Sequence, residues 1–160
     1  MHNELKNSDN SAYARGLRLL ARREHARAEL AKKLAMRGFS SDDITAALDT
    51  LSANGYLSDE RFTDMLIYSR MQQGYGPKRI QYELKQHAIA AEIINTALAA
   101  ITTDEWQNCM KNMYERKYDF GASTEKTIMP DKQQVRAFFY QRGFSYAQID
   151  TFLHQQSTNI

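Results

Sequence analysis

Basic side chains are concentrated near the start of the chain, and they are the residues best suited to contacts with an anionic partner. Eight of them stand between positions 15 and 37: Arg15, Arg18, Arg22, Arg23, Arg27, Lys32, Lys33 and Arg37. The same stretch holds only two carboxylates, Glu24 and Glu29, so its local charge is +6, although the whole chain carries only +2 at pH 7. This concentration is typical of a surface that binds a polyanion or an acidic protein. The alternative is a helix face that is simply solvated.

Patterns for bond-breaking chemistry or metal binding do not stand out in the sequence. The four histidines lack the spacing of metal ligands, and Glu83 with His87 lacks the second histidine of a metalloprotease helix. The single cysteine, Cys109, falls inside a predicted helix, where a small buried apolar role is favoured. Gly74-Tyr75-Gly76-Pro77 is not followed by the Lys-Ser/Thr of a phosphate-binding loop. We therefore predict no enzyme, no cofactor and no metal site.

An internal repeat organises the chain. Six positions with the same internal spacing occur three times, the second set 50 and the third 105 residues after the first. The three sets are Leu30, Leu34, Gly38, Phe39, Ile44, Leu48; Ile80, Leu84, Ala88, Ile89, Ile94, Leu98; and Val135, Phe139, Gly143, Phe144, Ile149, Leu153. In each set, two apolar residues four apart indicate one face of a helix, and a second such pair indicates the next helix. The small residue between them predicts a left-handed turn, for which Gly38 and Gly143 are suited.

A further helix precedes each pair, so each repeat has three helices. These leading helices are predicted over Tyr13–Arg23, over Ser58–Gln73 and after a cap at Thr102. The chain of 160 residues has only 7 glycines and 2 prolines, which also favours helices. We predict an all-α fold of three tandem three-helix repeats. The predicted segments are a flexible 1–11 and repeats over 12–54, 55–101 and 102–156.

Two of the other helix starts carry polar residues at cap spacing. Ser40 with Asp43, and Ser145 with Gln148, resemble capping boxes. The equivalent position of the middle repeat is Ala90, which has no side-chain oxygen to accept a backbone hydrogen bond. We therefore expect the last helix of the middle repeat to fray more readily than its counterparts.

The sequence favours a cytoplasmic location. Residues 1–10 are polar and precede no apolar segment of the kind found in signal peptides. The most apolar stretch, residues 88–101, is interrupted by Glu92 and Asn95, so we expect no membrane contact. One cysteine allows no disulfide framework, as is usual in a reducing compartment.

A longer motif runs through the middle of the chain. Residues 55–62 read Gly-Tyr-Leu-Ser-Asp-Glu-Arg-Phe; Gly74-Tyr75-Gly76-Pro77-Lys78-Arg79-Ile80 and then Glu83-Leu84 follow. This combination resembles the signature of the RecX family of regulatory proteins. Arg23-Glu24-His25 with Glu29-Leu30, and Gly143-Phe144 with Ile149, resemble the motifs of that family's outer repeats. The resemblance extends over residues 12 to 155.

The resemblance implies a bacterial cytoplasmic protein that binds the RecA recombinase and modulates it, usually by inhibition. Members of the family are three tandem three-helix units in an elongated, curved array that lies in the groove of the RecA–DNA filament. There they limit filament extension and lower the ATPase, strand-exchange and coprotease activities. The implied roles are in DNA repair, homologous recombination and the SOS response, with the protein expected to act as a monomer.

The resemblance also suggests a use for the basic residues of the first repeat, which we expect to contact the filament wall or its DNA. Arg15, Arg18 and Arg22 follow an i, i+3, i+7 course along the predicted first helix. Because the positive excess is confined to one repeat, we expect binding to bare DNA to be weak, sequence-independent and strongly salt-dependent.

Three residues of the middle repeat complete the predicted binding set. Lys78 and Arg79 follow Gly76-Pro77, which is typical of a helix start and would hold the two cations in place. Tyr75 stands beside them and has two possible roles, stacking on a partner or sealing the turn.

Two other classes of function are compatible with three-helix repeats. A stand-alone DNA-binding protein would insert a recognition helix into the major groove, but Gln, Asn and Arg do not cluster at the start of any one helix. A generic helical-repeat adaptor is what the periodicity alone predicts. Binding to RecA, compared with binding to naked DNA at physiological salt, distinguishes the three.

Overall fold

The structure is a computed structural model that describes residues 10–118 and 130–158. Every regular element within those ranges is an α-helix, and they are α1 (Ala12–Leu20), α2 (Arg27–Ala35), α3 (Ser41–Ala53), α4 (Asp59–Gln72), α5 (Pro77–Gln86), α6 (Ala91–Ala99), α7 (Thr103–Lys117), α8 (Lys132–Gln141) and α9 (Tyr146–Thr158). The predicted all-α class is confirmed. Of the predicted flexible segment, residues 1–9 lie outside the described residues, whereas Ser11 caps α1 by accepting a 3.1 Å hydrogen bond from Ala14 N.

The repeated apolar positions form the cores. Apart from the small residues at the turns, all of them are buried except three half-buried ones, Phe39, Leu98 and Leu153. The equivalent residues Leu34, Leu84 and Phe139 are completely inaccessible to solvent. The spacing therefore identified the inward faces of the helices correctly.

The turn that follows the first helix of each matched pair is left-handed in all three repeats. Gly38 has φ +86° and Gly143 has φ +94°, while Ala88 has φ +56° at the equivalent position of the middle repeat. A β-carbon in this conformation approaches the following carbonyl oxygen, at a cost of about 1–2 kcal/mol. The middle repeat thus makes the same turn with a less suitable residue.

The predicted caps are also present. Ser145 and Gln148 form both halves of a capping box, with Gln148 N donating to Ser145 Oγ at 3.2 Å and Ser145 N donating to Gln148 Oε1 at 2.9 Å. Ser40 Oγ accepts a 3.1 Å hydrogen bond from Asp43 N. Helix α6 follows Ala90, whose methyl group cannot accept one, so its easier fraying stays a prediction.

Helix α1 is shorter than predicted. It ends at Leu20 and not at Arg23, because the chain tightens there and Arg22 N donates to Leu19 O at 3.1 Å, a bond between residues three apart. Arg22 and Arg23 therefore follow the helix. The prediction that three arginines lie along α1 is wrong for the last of them, Arg22.

The chain divides into two compact units. The first comprises Met1–Met65 and Leu84–Ile94, and the second comprises Leu66–Glu83 and Asn95–Ile160. The core of the first unit is built from leucines and one isoleucine: Leu30, Leu34, Ile44, Leu48, Leu51 and Leu57. Helix α1 approaches this core at Gly16, where a β-carbon would lie 2.7 Å from Leu51 Cδ1. Sequence analysis had not identified this close approach.

The core of the second unit is aromatic. The Phe139 ring lies between Phe144 and Phe152, with centroid separations of 5.6 and 5.4 Å. Trp106 meets Phe144 edge-on at 6.2 Å, and Tyr114 meets Phe152 at 5.6 Å. These edge-to-face contacts hold α7, α8 and α9 together. Among the described helices, none is both long enough and apolar enough to cross a membrane.

Candidate functional site

Among the described residues of the first repeat, Arg23, Arg27 and Lys33 form ion pairs with acidic side chains. Arg23 Nη2 lies 2.5 Å from Glu29 Oε1, and Lys33 Nζ lies 3.2 Å from the same oxygen. Arg27 Nη2 lies 2.5 Å from Asp49 Oδ1. Because their charges are already compensated within the chain, these three cations would attract an external anion less strongly.

Glu29 is the centre of one ion-pair network. Burial raises the pKa of its carboxyl group, but hydrogen bonds from Arg23 and Lys33 outweigh burial, and the pKa falls to about 2. In return, the hydrogen bond to Glu29 raises the pKa of the Arg23 guanidinium. The carboxylate is therefore ionised under all ordinary conditions, and it fixes both cations in place.

His25 belongs to the same network and is only 2% exposed. Its Nδ1 lies 3.0 Å from the carbonyl oxygen of Arg23, which can only accept, so Nδ1 carries the proton. Its Nε2 lies 3.1 Å from Lys33 Nζ, which can only donate, so Nε2 is the acceptor. Burial is the largest influence on His25 and lowers its pKa. The imidazole is thus neutral and has a structural role.

Four other basic residues form a group that we call the arginine cluster: Arg15, Arg18, Arg22 and Arg37. Burial, and then the positive charges of Arg37, Arg18 and Arg22, lower the pKa of Arg15. The Nε of Arg15 is buried without a hydrogen-bond partner. Over the described ranges, Arg15, Arg22 and Arg37 form no ion pair with an acidic side chain. Lys32 is exposed and belongs to neither group.

A second basic site lies in the second unit, at the start of α5. Gly76 N donates a 2.7 Å hydrogen bond to Arg142 O, and Lys78 N donates one of 3.1 Å to Gly143 O. The two backbones are so close that a β-carbon at Gly76 would lie 2.6 Å from the carbonyl carbon of Gly143. The first turn of α5 is therefore fixed against the α8–α9 turn, and the exposed side chains of Lys78 and Arg79 project from a rigid backbone.

The Tyr75 ring beside them contacts cations of its own chain. The guanidinium carbons of Arg79 and Arg142 lie 4.3 and 4.4 Å from its centroid. Arg142 also donates from Nε to Gly74 O at 2.9 Å and from Nη2 to Gln73 O. Sequence analysis missed Arg142 as a member of this site.

A signal for Arg142 was present in the sequence. Arg142-Gly143-Phe144-Ser145 repeats Arg37-Gly38-Phe39-Ser40. The two arginines nevertheless differ, because Arg37 is exposed within the arginine cluster, whereas Arg142 is half-buried and donates to backbone carbonyls. The same local motif therefore leaves its arginine exposed in one repeat and packs it against backbone carbonyls in the other.

Cys109 lies beside Tyr75 of the second basic site but is not suited to nucleophilic catalysis. Cys109 is 6% exposed, its Sγ donates to Met71 O at 3.2 Å, and burial raises its pKa to about 11. It is therefore a thiol at neutral pH and a poor nucleophile. No cluster of three or more His, Cys, Asp or Glu side chains in the described part of the chain could hold a metal ion. What the two sites can do is bind phosphates or carboxylates through charge-assisted hydrogen bonds.

Comparisons with known proteins agree on one family. Residues 12–51 match the family model for RecX, first three-helix domain, and residues 58–98 match the one for RecX, second three-helix domain. A regulatory protein RecX from Herminiimonas arsenicoxydans is 36% identical over 149 residues, which is 93% of this chain and 95% of that relative. The chain belongs to the RecX family. A regulatory protein RecX from Pseudomonas putida (strain GB-1) is 39% identical over 135 residues, 84% of each chain.

Solved RecX structures share the fold. The crystal structure of RecX from Lactobacillus salivarius superimposes with a TM-score of 0.76 over 99% of both chains, at 19% identity. A second crystal structure of a regulatory protein RecX gives a TM-score of 0.71 over 89% of this chain and 70% of the other, at 20% identity. At these identities the likeness concerns the fold.

Some of the motif residues that first suggested the RecX family form structural contacts in the first unit, while residues 74–80 of the motif belong to the second unit. Arg61 Nε donates to Glu24 Oε1 at 2.7 Å, and Arg27 N donates to Asp59 Oδ1 at 2.7 Å. These bonds connect the start of α4 to the segment before α2 and to the start of α2. This part of the motif thus maintains the fold, whereas Lys78 and Arg79, which also belong to the motif, are exposed.

Proposed function

We propose that this protein modulates the RecA recombinase, chiefly as an inhibitor, by binding in the groove of the RecA–DNA filament. Bound there, it limits filament extension and lowers the ATPase, strand-exchange and coprotease activities. The observation that carries the proposal is membership of the RecX family over nearly the whole chain, with relatives named as regulatory proteins. In this proposal the protein is a cytoplasmic monomer with no catalytic residue and no cofactor.

The proposed architecture of the binding protein is the series of three repeats, 12–54, 55–101 and 102–156, preceded by the segment 1–11. Each repeat places one left-handed turn, at Gly38, Ala88 or Gly143, between its second and third helices. Basic residues adjoin two of these turns, Arg37 in the first repeat and Arg142 in the third. The first repeat then supplies the main electrostatic contact.

Within the first repeat, the arginine cluster is the part suited to bind the filament or its DNA. The positive charges of the cluster repel one another. Carboxylates or phosphates that bind there would relieve this repulsion, and this relief favours binding. Guanidinium groups also bind both anions in a bidentate manner. Arg23, Arg27 and Lys33 would exchange one carboxylate for another and gain little, whereas Arg15, Arg22 and Arg37 form no ion pair with an acidic side chain of the described residues. We assign binding to the arginine cluster and a fold-supporting role to the three ion-paired residues.

Lys78 and Arg79 supply a second cationic contact, on the second unit. Both side chains are exposed, and the backbone beneath them is fixed by the bonds from Gly76 and Lys78 to the α8–α9 turn. A fixed position lowers the entropy that each side chain loses on binding. A single exposed ion pair contributes less than about 1 kcal/mol, so the proposal requires several such contacts acting together.

The test is the ATPase activity of RecA on single-stranded DNA with substoichiometric amounts of this protein. The parent protein should inhibit. A variant with Arg15→Ala, Arg18→Ala and Arg22→Ala should need several-fold to a hundredfold more protein for the same inhibition, since each lost contact contributes about 1 kcal/mol. Lys78→Ala with Arg79→Ala should weaken inhibition in the same direction.

A matched control removes the same charge elsewhere. Lys85→Ala, Lys111→Ala and Lys132→Ala together also remove three exposed cations, and this variant should inhibit like the parent. Equal weakening of the control would show that only net charge matters. Full inhibition by the arginine variant at physiological salt would make the assignment wrong, and a footprint on one DNA sequence would favour a stand-alone DNA-binding protein.

A further inference from the structure

Two exposed tyrosines on the second unit form a stacked pair. The rings of Tyr140 and Tyr146 are nearly parallel, with an interplanar angle of 13° and centroids 4.7 Å apart. Tyr140 is 47% exposed and Tyr146 is 60% exposed. Tyr140 is near the end of α8, and Tyr146 is the first residue of α9, so the pair spans the α8–α9 turn. Aromatic surface left in water and already stacked is suited to take up another planar group.

The backbone beneath the pair is rigid. Phe139 and Phe144, each next to the turn, are completely buried, and Gly143 accepts the hydrogen bond from Lys78 N. The rings therefore start from fixed Cα positions on two packed helices. A partner that stacks on them loses little of its binding energy to ordering the protein.

The electrostatic environment of the pair is positive. Lys78 Nζ lies 6.0 Å from the centroid of the Tyr140 ring. Lys78 and Arg79 form no ion pair with an acidic side chain of the described residues. The acidic residue one helical turn beyond Tyr146 is Asp150, and its Oδ1 is bound by Arg136 at 2.7 Å. The negative charge closest in sequence to the rings is thus compensated, while the cations of α5 are not.

We propose that Tyr140, Tyr146 and Lys78 form a stacking platform for single-stranded nucleic acid. An unpaired base would stack on the exposed tyrosine surface, and Lys78, with Arg79, would contact the adjoining phosphates. Base–aromatic stacking and backbone cations are the combination by which proteins bind single strands without reading sequence. A duplex fits poorly because its bases are already stacked on one another. This platform needs no recombinase, so it goes beyond the proposed function.

The experiment measures binding of the protein alone, without RecA. Fluorescence anisotropy follows a labelled oligothymidylate, an oligouridylate and a hairpin duplex of equal charge. A strand carrying 2-aminopurine reports stacking directly, because its fluorescence falls when the base stacks. The parent should bind the single strands more tightly than the hairpin and quench 2-aminopurine. Tyr140→Ala with Tyr146→Ala should weaken single-strand binding roughly tenfold or more and abolish the quenching, while hairpin binding stays unchanged.

Two control variants separate stacking from other effects. Tyr68→Ala with Tyr82→Ala removes two other exposed tyrosines, 68% and 64% exposed, and should bind like the parent. Tyr140→Phe with Tyr146→Phe keeps both rings and should retain binding and quenching. Circular dichroism of each variant checks that the helices persist. Preference for oligothymidylate or for oligouridylate identifies the natural strand, and either result supports the platform.

Several outcomes would overturn the inference. The inference is wrong if the double alanine variant binds single strands with the parent's affinity, or if it loses as much affinity for the hairpin as for the single strands. It is also wrong if the variant loses only binding to a protein partner while its binding to single strands is unchanged. Inhibition of the RecA ATPase is measured in parallel. A parent that inhibits RecA without quenching 2-aminopurine disproves the platform and leaves the proposed function intact. The reverse result disproves the proposed function and leaves the platform.

Discussion

The backbone amide of Gly76 donates a 2.7 Å hydrogen bond to the carbonyl oxygen of Arg142. This bond joins the turn before α5 to the turn after α8, two segments far apart in sequence. It is possible because the facing residues, Gly76 and Gly143, have no side chains. The guanidinium of Arg142 reaches back across the same junction to Gly74 O. The position of Lys78 and Arg79 depends on this junction.

The first prediction concerns that close approach. Gly76→Ala places a β-carbon 2.6 Å from the backbone of Gly143, where no flexible side chain can move aside. We expect the free energy of unfolding to fall by about 1–3 kcal/mol, as for other overpacked sites. Urea denaturation measures it. Lys78→Ala, an exposed change in the same turn, should alter stability by less than about 0.5 kcal/mol, and equal effects of the two variants would contradict the prediction.

The second prediction uses the left-handed alanine. Ala88→Gly removes the strain at φ +56°, which costs an L-residue about 1–2 kcal/mol, and adds an entropy cost of about 0.5–1 kcal/mol in the unfolded chain. The net expectation is a stabilisation of up to about 1.5 kcal/mol, measured as a higher urea midpoint. Gly38→Ala is the converse change. Its β-carbon would have no neighbour within 4 Å, but φ is +86°, so the variant should be less stable than the parent. A shift of the same sign in both would disprove the argument.

The third prediction concerns acid stability and begins with His25. Its pKa is lowered by burial, so between the unfolded value near 6.5 and the folded value the unfolded chain binds a proton that the folded chain does not. Stability from this group is fully present above pH 6.5 and declines as the pH falls through the folded pKa. The slope of unfolding free energy against pH below 6.5 should be smaller in His25→Gln. An unchanged slope would show that His25 is not responsible.

Glu29 extends the same prediction to lower pH. Its pKa is about 2 in the folded protein against an ordinary 4.5, so its contribution is present above pH 4.5 and is lost as the pH falls toward 2. A difference of one pKa unit corresponds to about 1.4 kcal/mol, which puts the loss at no more than about 3.5 kcal/mol. Glu29→Gln should be less stable than the parent at pH 7, and this gap should close near pH 2. A gap that persists there would contradict the assignment.

The fourth prediction concerns the cysteine. Because Cys109 is buried and its pKa is raised to about 11, we expect almost no reaction with an aromatic disulfide reagent in the folded protein at pH 8. In urea the thiol should react completely. Asn108→Cys places an exposed thiol on the neighbouring residue of α7. Of the two thiols in this variant, the new one should react at once and Cys109 should not. Rapid reaction of the parent would show that α7 opens easily.

The helices and their inward faces were determined by local properties of the sequence. Apolar residues four apart lie on the same helix face whatever the rest of the chain does, so Leu34, Leu84 and Phe139 could be identified as core residues. The left-handed turns were equally local, because Gly38 and Gly143 adopt a conformation that other residues resist. The end of α1 was predicted less well, because an i to i−3 bond at Arg22 is a detail that periodicity does not encode.

Which cations are compensated within the chain was decided by the tertiary structure. Arg27 is paired with Asp49, 22 residues away, and Arg61 is paired with Glu24, 37 residues away, so no local pattern could assign either pair. The role of Arg142 depends on a carbonyl group 68 residues distant. A count of charges along the sequence treats every arginine alike. The field at the surface depends on which carboxylates and carbonyl oxygens the fold brings within hydrogen-bond distance of each one.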